Sequence, residues 1–238
     1  MIKWQILHSG ENPATLIMQK DQELLDALTP TSHPILHLYK WKGDCATYGC
    51  FTKPEDFLNM ENVKALHLSL AKRPTGGGIV FHICDFAFSV VIPANHPKFS
   101  INTLDNYALI NNAVIHTIQK IKNDTTPILL PQESPPLDSY CQKFCMAKPT
   151  KYDVILQGKK IGGASQRRTK HGFLHQGTIA VALLPKEYLE KIILPETKVI
   201  EAMQNNSASL LGNNWTLHDL QAMREIVSIN LQECMQEI

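Results

Sequence analysis

The side chains in this sequence that could do chemistry crowd into Phe144–Thr178, FCMAKPTKYDVILQGKKIGGASQRRTKHGFLHQGT. A cysteine there can act as a nucleophile once it is a thiolate, and Lys143, Lys148 and Lys160 could favour that form of Cys145 if they fold close to it. Lys160 stands at the head of a strand after a Gly-Lys turn, where an ammonium can be aimed into a cleft as a point charge for an acyl oxygen or a phosphate. His175 could serve as a general base, although a single strand histidine is more commonly a satisfied core or rim residue. Arg167 and Arg168 point to opposite sides of an extended chain, so at most one reaches a shared pocket. No Ser-His-Asp spacing and no HExxH motif stands out.

A second stretch, Arg73–His82 (RPTGGGIVFH), has three consecutive glycines leading into a strand. Glycines free the backbone for positive φ and let a ligand approach the N–H groups, and Arg73 brings a planar cationic fork suited to a carboxylate or phosphate. The loop feeds a strand and not a helix, and neither GxxxxGK[ST] nor GxGxxG is present. On the glycines alone, a hairpin turn is the simpler reading.

The elements that must hold these stretches follow from periodicity and breakers. Strands are expected at Trp4–His8, Ile35–Trp41 and Gly43–Phe51, with a turn at Gly10–Pro13. A helix over Ala14–Leu28 precedes the second of these, and a short helix over Pro54–Leu66 follows the third. His67–Leu70 reads as a strand, and Ile79–His82 and Phe86–Ile92 as a hairpin turning at Ile83–Asp85. Thr103–Ile121 has a mostly apolar face interrupted by Asn111. The proline-rich Asn123–Ser139 is a surface loop with one short strand at Ile128–Leu130. Tyr152–Leu156 and Lys160–Ser165 form a second hairpin, and Gly172–Leu184 is another strand. Helical pieces follow Pro185, Asn205–Asn213 is weakly patterned, and Thr216 caps a last helix running through Met235. Without regular βαβ spacing, the class is α+β: a mixed β-sheet with flanking helices.

Composition sets limits on function. Of 238 residues, 44% are apolar and 19% charged, and the net charge is +1, which gives no sign of electrostatic capture of nucleic acid or membrane. No signal peptide or bilayer-spanning run is seen, so a cytoplasmic location is expected. The six cysteines, Cys45, Cys50, Cys84, Cys141, Cys145 and Cys234, include no CxxC pair. Free thiols and no metal site are expected.

Taken together, the motifs resemble the lipoate–protein ligase A family of the biotin/lipoyl protein ligase group. The family's RRxTGGGxVxH loop is matched by Lys72–His82, its Gly-(Lys/Arg)-Lys turn by Gly158–Ser165, and its HG or HQG mark by His175-Gln176-Gly177. Met18–Leu25 resembles its first helix. The resemblance implies the fold of the biotin/lipoyl ligase catalytic domain. It also implies attachment of lipoyl or octanoyl through an amide to a lysine of lipoyl domains, in 2-oxoacid dehydrogenase E2 subunits or the glycine-cleavage H protein. Lys160 would contact the activated acyl group. Arg73, Thr75, Gly76, Gly77, Gly78, His82, Gly163, Ala164, His175 and Gly177 would bind substrate.

Two branches of the resemblance differ in chemistry. Ligases activate lipoate with ATP and Mg to an acyl adenylate. Octanoyltransferases need no ATP and take octanoyl from acyl carrier protein onto a cysteine in a motif resembling CFxxPxxY(E/D). Cys145, Pro149, Tyr152 and Asp153 are in register with it, which favours the transferase and makes Cys145 and Lys160 the catalytic pair. The stretch after Pro185 is too short for the independent C-terminal accessory domain of many bacterial ligases, so residues 1–238 are expected to form one catalytic domain, and a ligase would need a partner subunit for activation. Three departures from the pattern are Lys72 for the first arginine, Met146 for the phenylalanine and Ile83 for the acid that usually follows the histidine. Ile83 also favours a rival reading, a non-catalytic lipoate- or lipoyl-domain-binding homologue. A biotin–protein ligase is a further alternative, although its GRGRxxR-type loop is missing.

Overall fold

The computed structural model describes residues 3–212 and 214–238. Its main sheet has seven strands in the order β1-β2-β6-β10-β9-β8-β7. In chain order these are β1 (Gln5–Asn12), β2 (Ile35–Trp41), β6 (Asp85–Pro93), β7 (Ile128–Leu129), β8 (Val154–Leu156), β9 (Lys159–Thr169) and β10 (Gly172–Ala180). Within this sheet, among the described residues, only the β1–β2 pair is parallel. The smaller sheet is β4-β3-β5, made of β3 (Cys45–Tyr48), β4 (Ser69–Lys72) and β5 (Ile79–His82). The fold is thus α+β with a mixed sheet, as expected.

Strand β6 is buried along its whole length, because both faces of the main sheet are covered. Phe86, Phe88, Val90 and Ile92 meet α3 (Thr103–Ile121) and α6 (Leu217–Gln236), where Ile110, Val114, Leu220, Val227 and Leu231 complete the principal core. On the opposite face, α1 (Ala14–Asp26) buries Ile17 and Met18 against Tyr39, Cys45, Ala71 and Ala87, which ties the two sheets together. The small sheet packs on α2 (Met60–Ala65), α4 (Lys186–Ile192) and α5 (Val199–Asn206) through Leu58, Val63, Phe81, Phe144 and Ile192. Helix α6 starts with a capping box, in which Thr216 and Asp219 each bond the other's backbone N–H.

Several expected elements differ. Ile79–His82 and Phe86–Ile92 are strands but not a hairpin: β5 pairs with β3, and β6 pairs with β2 and β10. The segment between them has no Gly or Asn to reverse the chain in a tight turn, so the chain crosses from one sheet to the other. The turn expected at Gly10–Pro13 is a bulge inside β1, whose pairing shifts between His8 and Glu11 with Gly10 at φ +68°. Pro54–Leu66 is broken into a single 3-10 turn, Pro54–Asp56, and α2, because the Asn59 side chain accepts from Asn62 N and starts a new helix. The weakly patterned Asn205–Asn213 holds the end of α5 and irregular chain, and Asn213 lies outside the described residues.

Candidate active site

The two chemically dense stretches line one cavity of about 340 Å³ where the sheets meet. Arg73, Gly77, Gly78, Val80 and His82 come from the glycine loop and β5. Phe144, Cys145, Met146, Lys148 and Thr150 come from the loop before β8, Lys160, Gly163, Ala164 and Ser165 from β9, and Gln176, Gly177 and Thr178 from β10. Met18, Tyr39, Trp41 and Ala87 give it an apolar wall. Such a mix of apolar lining and a few convergent polar groups suits a small acyl ligand.

Lys160 is 3% exposed, so it is not a solvated turn lysine. Its Nζ lies 2.7 Å from Asp153 Oδ2 and donates to the Cys145 carbonyl oxygen at 2.8 Å. Asp153 is itself held by the Thr150 N–H at 2.6 Å and hydroxyl at 3.1 Å. An ammonium has three N–H groups, so one is left for the cavity. The lysine side chain lies directly over Gly163: a Cβ there would stand 2.5 Å from Lys160 Cε and 2.6 Å from Nζ.

Cys145 is half-buried, with its N–H on the Ile79 carbonyl at 3.1 Å. A Cβ built on Gly77 would lie 3.2 Å from Arg73 Nη2, 3.7 Å from Ser165 Oγ and 3.8 Å from Cys145 Sγ. The cation, the hydroxyl and the thiol therefore converge on one small space that glycine at φ +89° leaves open. Burial holds the Arg73 guanidinium below its usual range, and the adjacent Cys145 thiol works against that shift. Of the three lysines considered for the thiol, Lys148 pairs with Glu133 at 2.7 Å and Lys160 with Asp153, while Lys143 is exposed. The cation that shares a space with Sγ is Arg73.

Arg73 is fixed by Nη2 bonds to the carbonyls of Gly76 (3.0 Å) and Gly78 (2.9 Å) and by an Nη1 bond to Thr47 Oγ1 at 2.8 Å. Thr47 Oγ1 also lies 2.7 Å from His82 Nε2, and His82 Nδ1 lies 2.6 Å from Asp85 Oδ2. Trp41 packs over the His82 ring with centroids 4.6 Å apart. Asp85 supplies the carboxylate that Ile83 lacks, so that departure does not strip His82 of an acid. Arg224 on α6 clamps the corner by donating to the carbonyls of Ile83 and Asp85, each at 2.8 Å.

Three candidates do not line the cavity. Thr75 is buried and donates to Gln176 Oε1 at 2.7 Å. Gly76 offers its carbonyl to Arg73 and, at 2.9 Å, to Ser165 Oγ. His175 is fully buried between Phe88 and Tyr107, with Nδ1 2.8 Å from Gln166 Nε2, and burial pushes its pKa down to about 3. Strand alternation turns His175 away and gives the neighbouring Gln176 to the site. Neither Arg167 nor Arg168 reaches the cavity: Arg167 bonds Gln22 at 2.8 Å, and Arg168 bonds the Ile101 carbonyl.

The sequence reading also missed a buried polar chain behind the glycine loop. Gln176 Nε2 and Ser89 Oγ both donate to Asp21 Oδ2 at 2.6 Å, Asp21 Oδ1 is 2.7 Å from His37 Nδ1, and His37 Nε2 is 2.8 Å from Ser9 Oγ. Through Gln176 this chain anchors Thr75. All six cysteines are free. Among the described residues, no group of His, Cys, Asp or Glu is placed to hold a metal ion, and no helix is long and apolar enough to cross a membrane.

This fold and cavity have counterparts among known proteins. A bi-partite lipoate protein ligase from Thermoplasma acidophilum, studied together with its E2 lipoyl domain, matches 99% of this chain and 85% of that one at 19% identity and TM-score 0.71. A lipoate-protein ligase A bound with ATP matches 99% of this chain and 86% of that one at 20% identity and TM-score 0.70. Octanoyltransferase LipM of Halalkalibacterium halodurans is 26% identical over 213 residues, 87% of this chain and 76% of the relative. LipM of Bacillus subtilis is 25% identical over 210 residues, 85% and 74% of the two. The lipoyl protein ligase A/B catalytic domain matches residues 13–223, and the chain belongs to that family. It is an enzyme of lipoyl or octanoyl transfer, in a family that acts on lipoyl domains.

Proposed function

We propose that the chain is an octanoyltransferase working through a thioester on Cys145. The observation that carries this reading is the convergence of Cys145 Sγ, Arg73 Nη2 and Ser165 Oγ beside Gly77, in the cavity that also holds Lys160. In the first half-reaction the Cys145 thiolate attacks the carbonyl carbon of octanoyl-acyl carrier protein. The new carbon–sulfur bond forms, the carrier's breaks, and the carrier sulfur leaves as a thiolate that takes up the proton Cys145 gave up on ionising. In the second, the neutral amine of a lipoyl-domain lysine attacks the Cys145 thioester. The amide forms, the bond to Sγ breaks, and the proton shed by the amine returns to the cysteine sulfur.

Each tetrahedral intermediate places negative charge on one oxygen, and the unspent N–H of Lys160 is the donor for it. Arg73 stands beside the sulfur through both half-reactions. Met18, Tyr39, Trp41 and Ala87 take the hydrocarbon chain. Gly77, Gly78, His82, Gly163, Ala164 and Gly177 line the substrate, whereas Thr75, Gly76 and His175 hold the loop and strand behind it. The donor arrives activated, so ATP and Mg have no part; they enter only if the protein acts as a ligase. The acceptors are the lipoyl domains of 2-oxoacid dehydrogenase E2 subunits or of the glycine-cleavage H protein. Residues 1–238 act as one catalytic domain, in the cytoplasm, where the six thiols stay reduced. Similarity to proteins named octanoyltransferase supports this reading.

The test is transfer to a lipoyl domain from octanoyl-acyl carrier protein without nucleotide. Wild type should yield the octanoylated domain and Cys145→Ser should yield none. Product formed only with ATP and free lipoate, and undiminished in Cys145→Ser, would overturn the proposal in favour of the ligase.

A further inference from the structure

Two exposed aromatic residues lie on turns that hold the glycine loop where Gly77, itself exposed, lines the cavity, and the chemistry inside does not use them. Phe51 is 92% exposed and Tyr140 is 41% exposed. Each sits on a turn fixed to the glycine loop. On one side, Cys50 N donates to the Thr75 carbonyl at 3.1 Å, Gly49 N to the Gly78 carbonyl at 3.3 Å and Thr52 Oγ1 to the Gly77 carbonyl at 3.0 Å. The fit is so close that a Cβ on Gly49 would lie 2.0 Å from the Gly77 oxygen. On the other side, a Cβ on Gly78 would lie 2.3 Å from the Lys143 carbonyl oxygen, and Lys143 N donates to the Tyr140 carbonyl at 2.9 Å. Phe51 and Tyr140 thus belong to two turns that grip Gly77 and Gly78, and those two glycines line the cavity beside Cys145.

One exposed apolar residue is ordinary on a protein surface. Here, however, a nearly fully exposed phenylalanine sits on a turn bonded to the glycine loop that flanks Cys145, with a second aromatic on the other turn. Aromatic side chains are the usual interface anchors, and one whose backbone is already fixed loses less freedom on binding.

We infer that Phe51, with Tyr140, is the contact surface for the protein domain that presents the acceptor lysine. The inference rests on the acyl-transfer reading and on how far each substrate can reach. The octanoyl donor hangs on the long prosthetic arm of its carrier, so the carrier's body need not touch the rim. The acceptor amine sits on a four-carbon stem, so its backbone must come down to the rim for nitrogen to meet the Cys145 thioester. That rim is Gly77 and the turns that hold it.

The two half-reactions separate the possibilities. Intact-mass measurements follow loading of Cys145 from octanoyl-acyl carrier protein, and transfer from the acyl-enzyme to a lipoyl domain is then measured against acceptor concentration. Phe51→Ala should load at the wild-type rate and keep its transfer kcat, while KM for the lipoyl domain rises tenfold or more. Phe51→Trp should restore the KM, and Tyr140→Ala should raise it by a smaller factor. An unchanged acceptor KM in Phe51→Ala overturns the inference. So does slowed loading with an unchanged acceptor KM, because the turn would then serve the carrier. If wild type never loads, the transfer reading has failed, and direct titration of the lipoyl domain still decides the surface. Tenfold weaker binding to Phe51→Ala supports it, and equal binding overturns it.

Discussion

Lys160 Nζ donates to the carbonyl oxygen of Cys145 at 2.8 Å, so the proposed oxyanion donor also holds the backbone of the proposed nucleophile. The same ammonium neutralises Asp153 at 2.7 Å in a site where both side chains are almost fully buried. Losing Lys160 leaves a buried carboxylate without its cation, at a cost of about 3 kcal/mol. Lys160→Ala should therefore lower the denaturant midpoint as well as abolish transfer. Lys160→Met combined with Asp153→Leu should recover most of the stability and none of the activity. Recovery of transfer in the double variant would remove Lys160 from the chemistry.

Gly163→Ala tests placement without removing a charge. The added Cβ would meet Lys160 Cε and Nζ at 2.5 and 2.6 Å, so the lysine must move aside. A shift of about 1 Å at such a group costs roughly a hundredfold in rate. Single-turnover kinetics should show that loss while the acceptor KM stays near wild type.

Arg73 is aimed by Thr47, which in turn meets the His82–Asp85 pair. Thr47→Val should leave a guanidinium N–H buried without an acceptor, costing about 1–3 kcal/mol. It should also slow alkylation of Cys145 by iodoacetamide, because the loosened cation no longer stands beside the reacting sulfur. Thr47→Ser keeps the oxygen and should restore both. An alkylation rate unaffected by Thr47→Val would show that Arg73 does not act on the thiol.

His175 gives a pH dependence that does not involve the reaction. Burial depresses its pKa to about 3, from an ordinary value of 6.5. Below pH 6.5 the unfolded chain takes up a proton that the folded protein refuses, so stability present above that pH is lost as the pH falls towards 3. The loss between pH 7 and pH 5 is about 2 kcal/mol. Urea midpoints at the two pH values should differ less for His175→Gln than for wild type, even though the variant is less stable at pH 7. Equal differences would mean that His175 is not held neutral by the fold.

Much of this site could be read from the sequence because its parts are local. Cys145, Asp153, Lys160 and Gly163 fall within one loop and hairpin, and the consecutive glycines after Arg73 mark a backbone that something must approach closely. The rest depends on contacts that no local pattern encodes. Asp21, His37, Ser89 and Gln176 are single polar residues on four elements, and only the packing of α1 across β2, β6 and β10 makes them a chain that steadies Thr75. Strands β5 and β6 read as a hairpin because each has strand composition; their assignment to different sheets is set by their partners β3 and β10. The motif points to His175, but Gln176 beside it faces the cavity, because the two-residue period assigns neighbours to opposite faces and the sequence does not say which face of β10 meets the site.

The most direct test of the account is the mass of the protein after brief exposure to octanoyl-acyl carrier protein with no ATP present. One octanoyl adduct is expected. It should map to the peptide carrying Cys145, be absent from Cys145→Ser, and disappear when a lipoyl domain is added. No adduct in wild type, together with ATP-dependent lipoylation that survives Cys145→Ser, would contradict the account.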